Sequence, residues 1–223
     1  MPKIFLDYGH GGNDPGAVSG SYKEKDFTLS IGQRVKYHLE RHGLNVIESR
    51  SSDINPSLSE RSSKANSNNV DLSISIHCNS FGSSTAQGVE TYTYGTGTRE
   101  IQLAKCVHNA IIKDKIYTIN RGIKQGDLHM VREITTAAIL VEMAFISNPQ
   151  DRTLLIDKGE QFAIAICKGV LNYYEMQYKN ETVDPGEQKY YRVQVGAFTE
   201  KKNADGLAAD LRTKGYAAVI KYN

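Results

Sequence analysis

Apolar residues recur along this chain in two rhythms, one of period two and one close to four. Residues 3–8, Lys-Ile-Phe-Leu-Asp-Tyr, and residues 44–50 are short apolar runs that read as strands. Between them Phe27, Ile31, Val35 and Leu39 recur every four residues, the spacing of one helix face. Gly43 follows that helix as a C-terminal stop. Ser57-Leu-Ser-Glu60 has the capping-box form and predicts a second helix carrying Leu58, Arg61 and Ala65. In Asp71-Leu-Ser-Ile-Ser-Ile-His77 the alternation is strict: Leu72, Ile74 and Ile76 point one way, and Ser73, Ser75 and His77 the other. Residues 88–94 predict another strand, and Leu103, Ala104, Val107 and Ile111 another helix. Residues 137–145 are almost continuously apolar, as in a strand buried on both faces. Phe162, Ala165, Ile166, Gly169, Val170 and Tyr173 share one face of a last helix.

Strands alternating with helices predict an α/β domain, a twisted and mostly parallel sheet flanked by helices, over residues 1–175. Residues 176–189 are polar, contain Asp184-Pro-Gly186 and read as a linker. Residues 190–223 predict a small strand-helix-strand unit, with alternation over 191–198, a helix over 204–214 and an extended stretch over 216–222.

Composition narrows the function classes. The 223 residues suit a medium domain plus a small appendage. A net charge of +2 without a basic run gives no surface for nucleic acid. No apolar stretch approaches the roughly 18 residues that cross a bilayer, so no membrane span is expected. Met1-Pro2-Lys3 runs straight into the first strand without a signal peptide, which predicts synthesis as a soluble cytoplasmic chain. The cysteines, Cys78, Cys106 and Cys167, are odd in number and lack CxxC spacing, implying neither a disulfide framework nor a cysteine zinc site.

Polar groups stand in places a plain fold would not put them. Gly9-His10-Gly11-Gly12 follows the first strand directly, and open α/β sheets place ligands at carboxyl strand ends. The other reading is a turn with an incidental histidine. His77 ends its strand in the same way, as a ligand or as a packed residue. Glu142 interrupts the apolar run Ile139-Leu-Val-Glu-Met-Ala-Phe145. A buried ionised carboxylate costs several kcal/mol unless it is paired or bound to metal, so it is either a functional acid or a salt-bridge partner of Arg121 or Arg132. Histidines and carboxylates without a cysteine pair match catalytic zinc, which takes three protein ligands and leaves a position for water.

Longer segments carry a resemblance. They are Ile4-Phe-Leu-Asp-Tyr-Gly-His-Gly-Gly-Asn-Asp-Pro-Gly-Ala17, Glu24-Lys-Asp-Phe27, Gly43-Leu-Asn-Val46, Ser49-Arg50 with Asp53, and Arg61 with Ala65-Asn66. Ser75-Ile-His-Cys-Asn79, Gly88-Val-Glu-Thr91, Arg121-Gly122 and Val141-Glu-Met-Ala-Phe-Ile-Ser-Asn148 continue the series. In this order they resemble the zinc-dependent N-acetylmuramoyl-L-alanine amidase family over residues 1–175. The resemblance implies zinc ligands at His10, Glu24 and His77 and a catalytic glutamate at Glu142. On its own Glu24, within Lys23-Glu-Lys-Asp26, reads first as the charged start of a helix. Tyr8, where the family commonly has proline, and Met143-Ala144, where it commonly has a glycine, depart from the pattern. The implied reaction hydrolyses the amide between N-acetylmuramic acid and L-alanine in bacterial peptidoglycan, with Glu142 passing a proton from water to the leaving nitrogen. Asn79 and Arg121 are candidate substrate contacts, or else a local hydrogen bond and a surface charge.

Tyr191-Arg-Val-Gln-Val-Gly-Ala-Phe198, Asn203-Ala-Asp-Gly-Leu-Ala-Ala209 and Gly215-Tyr216 resemble one strand-helix-strand half of the sporulation-related (SPOR) domain, a family that binds peptidoglycan glycan strands lacking stem peptides. A piece below about 40 residues rarely folds alone, so a second chain completing it as a homodimer, or packing on the catalytic domain, is expected. Two other functions use the same features: a zinc carboxypeptidase or endopeptidase of the stem peptide, and a non-catalytic wall-binding protein. A wall hydrolase made in the cytoplasm acts after release, as a phage endolysin or as an autolysin freed by mother-cell lysis. The SPOR-like tail favours the sporulation role.

Overall fold

The computed structural model describes residues 1–114, 116, 119–180 and 195–214. In chain order the elements begin with β1 (Lys3–Tyr8), a short hairpin of β2 (Val18–Ser19) and β3 (Tyr22–Lys23), α1 (Glu24–Arg41), β4 (Asn45–Glu48) and α2 (Leu58–Ser67). They continue with β5 (Leu72–Asn79), β6 (Val89–Thr93), α3 (Thr98–Lys113), β7 (Asn120–Gln125), α4 (His129–Arg132), β8 (Ala137–Phe145), α5 (Pro149–Asp157) and α6 (Gly159–Tyr173). A last helix, α7 (Lys201–Thr213), lies in the C-terminal part. The chain divides into two units, Met1–Lys179 and Asn180–Asn223.

The large strands form one six-stranded sheet in the order β4-β1-β5-β8-β6-β7. β4, β1, β5 and β8 are mutually parallel. β6 runs antiparallel to β8, and β7 runs parallel to β6. The mostly parallel sheet expected from the sequence is therefore correct, with a reversed pair of strands at one edge. β7 was not anticipated: Asn-Arg-Gly-Ile-Lys-Gln lacks alternating apolar positions, because an edge strand stays half exposed.

Alternation decides which side chain faces which layer. Ile4, Leu6, Leu72, Ile74, Ile76, Ile139 and Val141 pack under α1, α3 and α6 in the main core. Phe5 and Ala138 face the other way, with Ala65 of α2 and Met130 of α4. Ser73 and Ser75, expected on a polar face, are fully buried there. α2 opens with the predicted capping box, Ser57 and Glu60 each satisfying the other's backbone N–H. Gly43, just past the end of α1, has φ +80°, the left-handed turn that stops a helix. Among the described residues no helix is long and apolar enough to cross a membrane.

The first unit reaches past the expected boundary at 175. Met176 and Tyr178 pack against the main core, and Arg41 Nη2 donates to the Lys179 carbonyl at 2.7 Å. In the second unit α7 matches the expected helix. Of the expected strand over 191–198, residues 191–194 lie outside the described residues and 195–198 are irregular. The extended stretch expected over 216–222 also lies outside the described residues.

Two buried arginines hold the segment after β1. Arg50 donates through Nε to the Tyr8 carbonyl at 2.9 Å and through Nη2 to the carbonyls of Gly9 at 3.2 Å and Lys25 at 2.8 Å. Arg61 donates to the carbonyls of Tyr8 at 2.7 Å and His10 at 2.8 Å, and pairs with buried Asp7 at 2.8 Å. The guanidinium forks satisfy several of these carbonyls at once. Although burial alone would push the Asp7 carboxyl up, Arg61 and the Ser75 hydroxyl hold it below its ordinary range. A carboxyl depressed in the fold adds stability above its unfolded value of about 4 and loses it as pH falls through the folded value. Arg61→Met leaves Asp7 buried and unpaired and is expected to lower unfolding stability by about 3 kcal/mol at neutral pH, read by urea titration. Asp7→Asn is expected to flatten the loss of stability on acidification.

Candidate active site

The segment after β1 displays His10 in an unusual conformation. Its φ is +62°, which non-glycine residues seldom adopt. Gly9 precedes it because the His77 imidazole lies against that backbone; a Cβ there would sit 2.3 Å from His77 Cε1. His77 comes from the carboxyl end of β5. Glu24 arrives from a third direction, since the β2–β3 hairpin turns the chain and delivers it as the first residue of α1.

These three side chains converge. His10 Nε2 lies 3.1 Å from Glu24 Oε2, and His77 Nδ1 lies 2.9 Å from Glu24 Oε1. The backbone N–H groups of Ala17 and Cys78 each donate to the same carboxylate at 2.9 Å. One ligand atom from each of His10, Glu24 and His77 lies within 4.8 Å of the others, an arrangement that could hold a metal ion. The other ring nitrogen of His10, Nδ1, meets Asp14 Oδ2 at 2.8 Å, the kind of outer contact that orients a ligating imidazole.

Electrostatics agree with a cation site. Burial opposes charging His10, yet Glu24 and Asp14 raise its pKa to about 9. Burial likewise opposes charging His77, and Glu24 raises it. Glu24 is held well below the carboxylate range despite its own burial, by the two imidazoles. The buried carboxylate thus favours positive charge beside it, which a cation held there would supply in place of imidazole protons.

Glu142 lies next to this cluster. In the register of β5 on β8 it is the partner of His77, so both side chains rise from one face of the sheet. The salt bridges weighed from sequence do not form: Arg121 reaches Glu90, while Arg132 pairs with Asp127 and Glu133. Glu142 Oε2 is buried with no hydrogen-bond partner. Burial pushes this carboxyl up to about 7, with His77 pulling down and Glu24 and Glu90 pushing up.

The candidate substrate contacts occupy the neighbouring strands. Asn79 Nδ2 donates to Glu90 Oε2 at 3.1 Å. The Arg121 guanidinium bonds Glu90 Oε1 and lies over the Phe145 ring, 5.0 Å from its centroid. Glu90 and Lys124 were missed from sequence. The signal for Glu90 was the alternation of Val89, Thr91 and Thr93, all buried, with Glu90 and Tyr92. The cysteines play no part at the cluster; all three are free, and Cys78 contributes only its backbone N–H.

The family profile described as N-acetylmuramoyl-L-alanine amidase matches residues 4–172. The chain belongs to that family. Its catalytic unit carries the amidase's characteristic fold, and a SPOR domain profile matches residues 187–223. The sporulation-specific N-acetylmuramoyl-L-alanine amidase of Bacillus subtilis (strain 168) is 35% identical over 99% of this chain and 84% of its own length. The N-acetylmuramoyl-L-alanine amidase CwlM of Bacillus licheniformis is 35% identical over 100% of this chain and 85% of its own length. Among solved structures, the catalytic domain of the amidase CwlV of Bacillus (Paenibacillus) polymyxa var. colistinus superposes with TM-score 0.75 at 31% identity, covering 79% of this chain and 100% of that one.

Gly16 tests the packing of this cluster. It has φ +64°, and a Cβ there would sit 2.6 Å from both Glu24 Oε2 and His10 Cδ2. Gly16→Ala is expected to spread the ligand atoms and weaken uptake of a divalent cation about tenfold or more, measured by calorimetric titration of the metal-free amidase.

Proposed function

We propose that this amidase hydrolyses the amide between N-acetylmuramic acid and L-alanine of peptidoglycan, with zinc held by His10, Glu24 and His77 and with Glu142 as general base and acid. The donor set fits zinc: two imidazoles and one carboxylate, no thiolate, and an outer contact from His10 to Asp14. The chemistry zinc supplies when bound there is Lewis acidity, which activates water and polarises the amide carbonyl.

What carries the reading is the unpartnered Oε2 of Glu142, a buried acceptor beside the His10–Glu24–His77 cluster. That atom takes the proton of the attacking water and returns it to the departing alanine nitrogen, since an amide nitrogen leaves poorly until protonated. A carboxyl raised to about 7 suits both halves of this duty. Asn79 and Arg121, beside Glu142 on the open face, hold the substrate. The C-terminal SPOR match supports tethering to glycan strands. Similarity to a sporulation-specific relative along 99% of the chain supports a sporulation autolysin, acting on the wall once the cell that made it lyses.

The test is digestion of purified peptidoglycan by the zinc-loaded chain, with products weighed by mass spectrometry. Stem peptides beginning with alanine, beside uncut glycan, are expected; peptides cut within the stem would make the chain a stem peptidase instead. Glu142→Gln is expected to lower the rate by about 10²–10⁴-fold, the usual contribution of a general base, while keeping its zinc.

A further inference from the structure

We propose that Arg121 and Lys124, positioned by buried Glu90, form an anion-receiving subsite that takes a carboxylate of the stem peptide within the first few residues after the scissile amide. This deepens the function proposed above and rests on it.

Glu90 is the register partner of Glu142 across β6 and β8, so His77, Glu142 and Glu90 stand in one row on one sheet face. Tyr92, two residues on, shares that face and is paired with Lys124 of β7. On this face α4 packs on β8, and α2 packs against α4 and β1, whereas α3 packs on the opposite face of β6 and β7. The row therefore continues from the reacting groups into an open surface.

Glu90 is saturated. Oε1 accepts from Lys124 Nζ at 2.7 Å and from Arg121 Nε. Oε2 accepts from Tyr92 Oη at 2.6 Å and from Asn79 Nδ2 at 3.1 Å. With four donors and a side chain 2% exposed, it has no acceptor capacity left for a substrate. Burial alone would push its carboxyl up, but Lys124, Tyr92 and Arg121 hold it down and ionised.

One carboxylate neutralises one of two cations. The side chains of Arg121 and Lys124 are 39% and 38% exposed, so the surplus positive charge faces solvent with free N–H donors. The Arg121 backbone is braced from the other side: buried His108 contacts Thr91 Oγ1 at 3.0 Å and Asn120 Oδ1 at 2.7 Å, and Asn120 Oδ1 accepts from Gly122 N at 2.8 Å. Cations held in place before binding lose less freedom on taking an anion.

Distance sets the class of ligand. Adjacent strands lie about 4.8 Å apart, so β7 is about 10 Å from β8, and its side chains lean back toward Glu90. Extended peptide advances about 3.5 Å per residue, so with the scissile amide at Glu142 a carboxylate on the next one to three stem residues reaches the cations. Glu90 acts through Arg121 and Lys124, as a positioning residue.

The experiment compares an alanine-led stem tripeptide bearing free carboxylates with the same peptide amidated, binding to the full-length zinc-loaded chain by calorimetry. The free acid is expected to bind about tenfold tighter, as for a charge-assisted contact. Lys124→Met, at a partly exposed edge position, is expected to erase that preference, and Lys124→Arg to keep it. Glu90→Gln is expected to weaken the free acid selectively and, in cleavage of muramoyl peptides, to raise KM more than it lowers kcat. Equal binding of acid and amide by the parent chain, or an equal loss for both in Lys124→Met, overturns the proposal. Binding is read without cleavage: a chain that prefers the free acid yet releases no alanine-led peptides from the wall retains the subsite and loses the amidase mechanism.

Discussion

A single buried carboxylate ties the active end of this molecule together. Glu24 joins the start of α1 to the loop after β1 and to the end of β5 by accepting from His10, His77, Ala17 and Cys78. An ionised group can lie so deep only when its oxygens are saturated and positive charge stands near it. Much of the surrounding architecture serves that condition. Arg50 and Arg61 hold the carbonyls of Tyr8, Gly9 and His10, fixing a backbone that would otherwise not keep His10 at positive φ. The hairpin of β2 and β3 brings Glu24 back over the sheet.

Three glutamates within a few strand spacings behave differently because their neighbours differ. Glu24 is bound by imidazoles and backbone N–H groups and stays ionised. Glu90 is bound by two cations, a phenol and an amide, and also stays ionised. Glu142 lies between them in space with one oxygen unpartnered, and both of its acidic neighbours oppose its charge. On the proposed mechanism, acids pushed apart in this way would divide holding, positioning and proton transfer among chemically identical side chains.

The sheet and the main helices were legible because burial imposes period two on strands and nearly four on helices. The signals in β1, β5, β8 and α1 are strong since each packs on at least one fully apolar layer. β7 left no such trace, because its face toward the site is polar and its edge is open. His10, His77 and Glu142 stood out as polar residues at strand ends or in an apolar run. Glu24 did not: a charged helix start looks the same whether its side chains reach water or, as with Glu24 and Lys25, fold inward. Only the family resemblance selected it. Lys124 was illegible for a related reason, since its partner Glu90 lies 34 positions away in sequence and meets it only through strand pairing.

Anomalous diffraction at the zinc edge, on crystals of the zinc-loaded chain, tests the central arrangement most directly. A single peak is expected within about 2.0–2.2 Å of one nitrogen of His10, one nitrogen of His77 and one carboxylate oxygen of Glu24, with Glu142 near it but unbonded. A peak elsewhere, or one bound through Glu142 or a cysteine in place of Glu24, contradicts it.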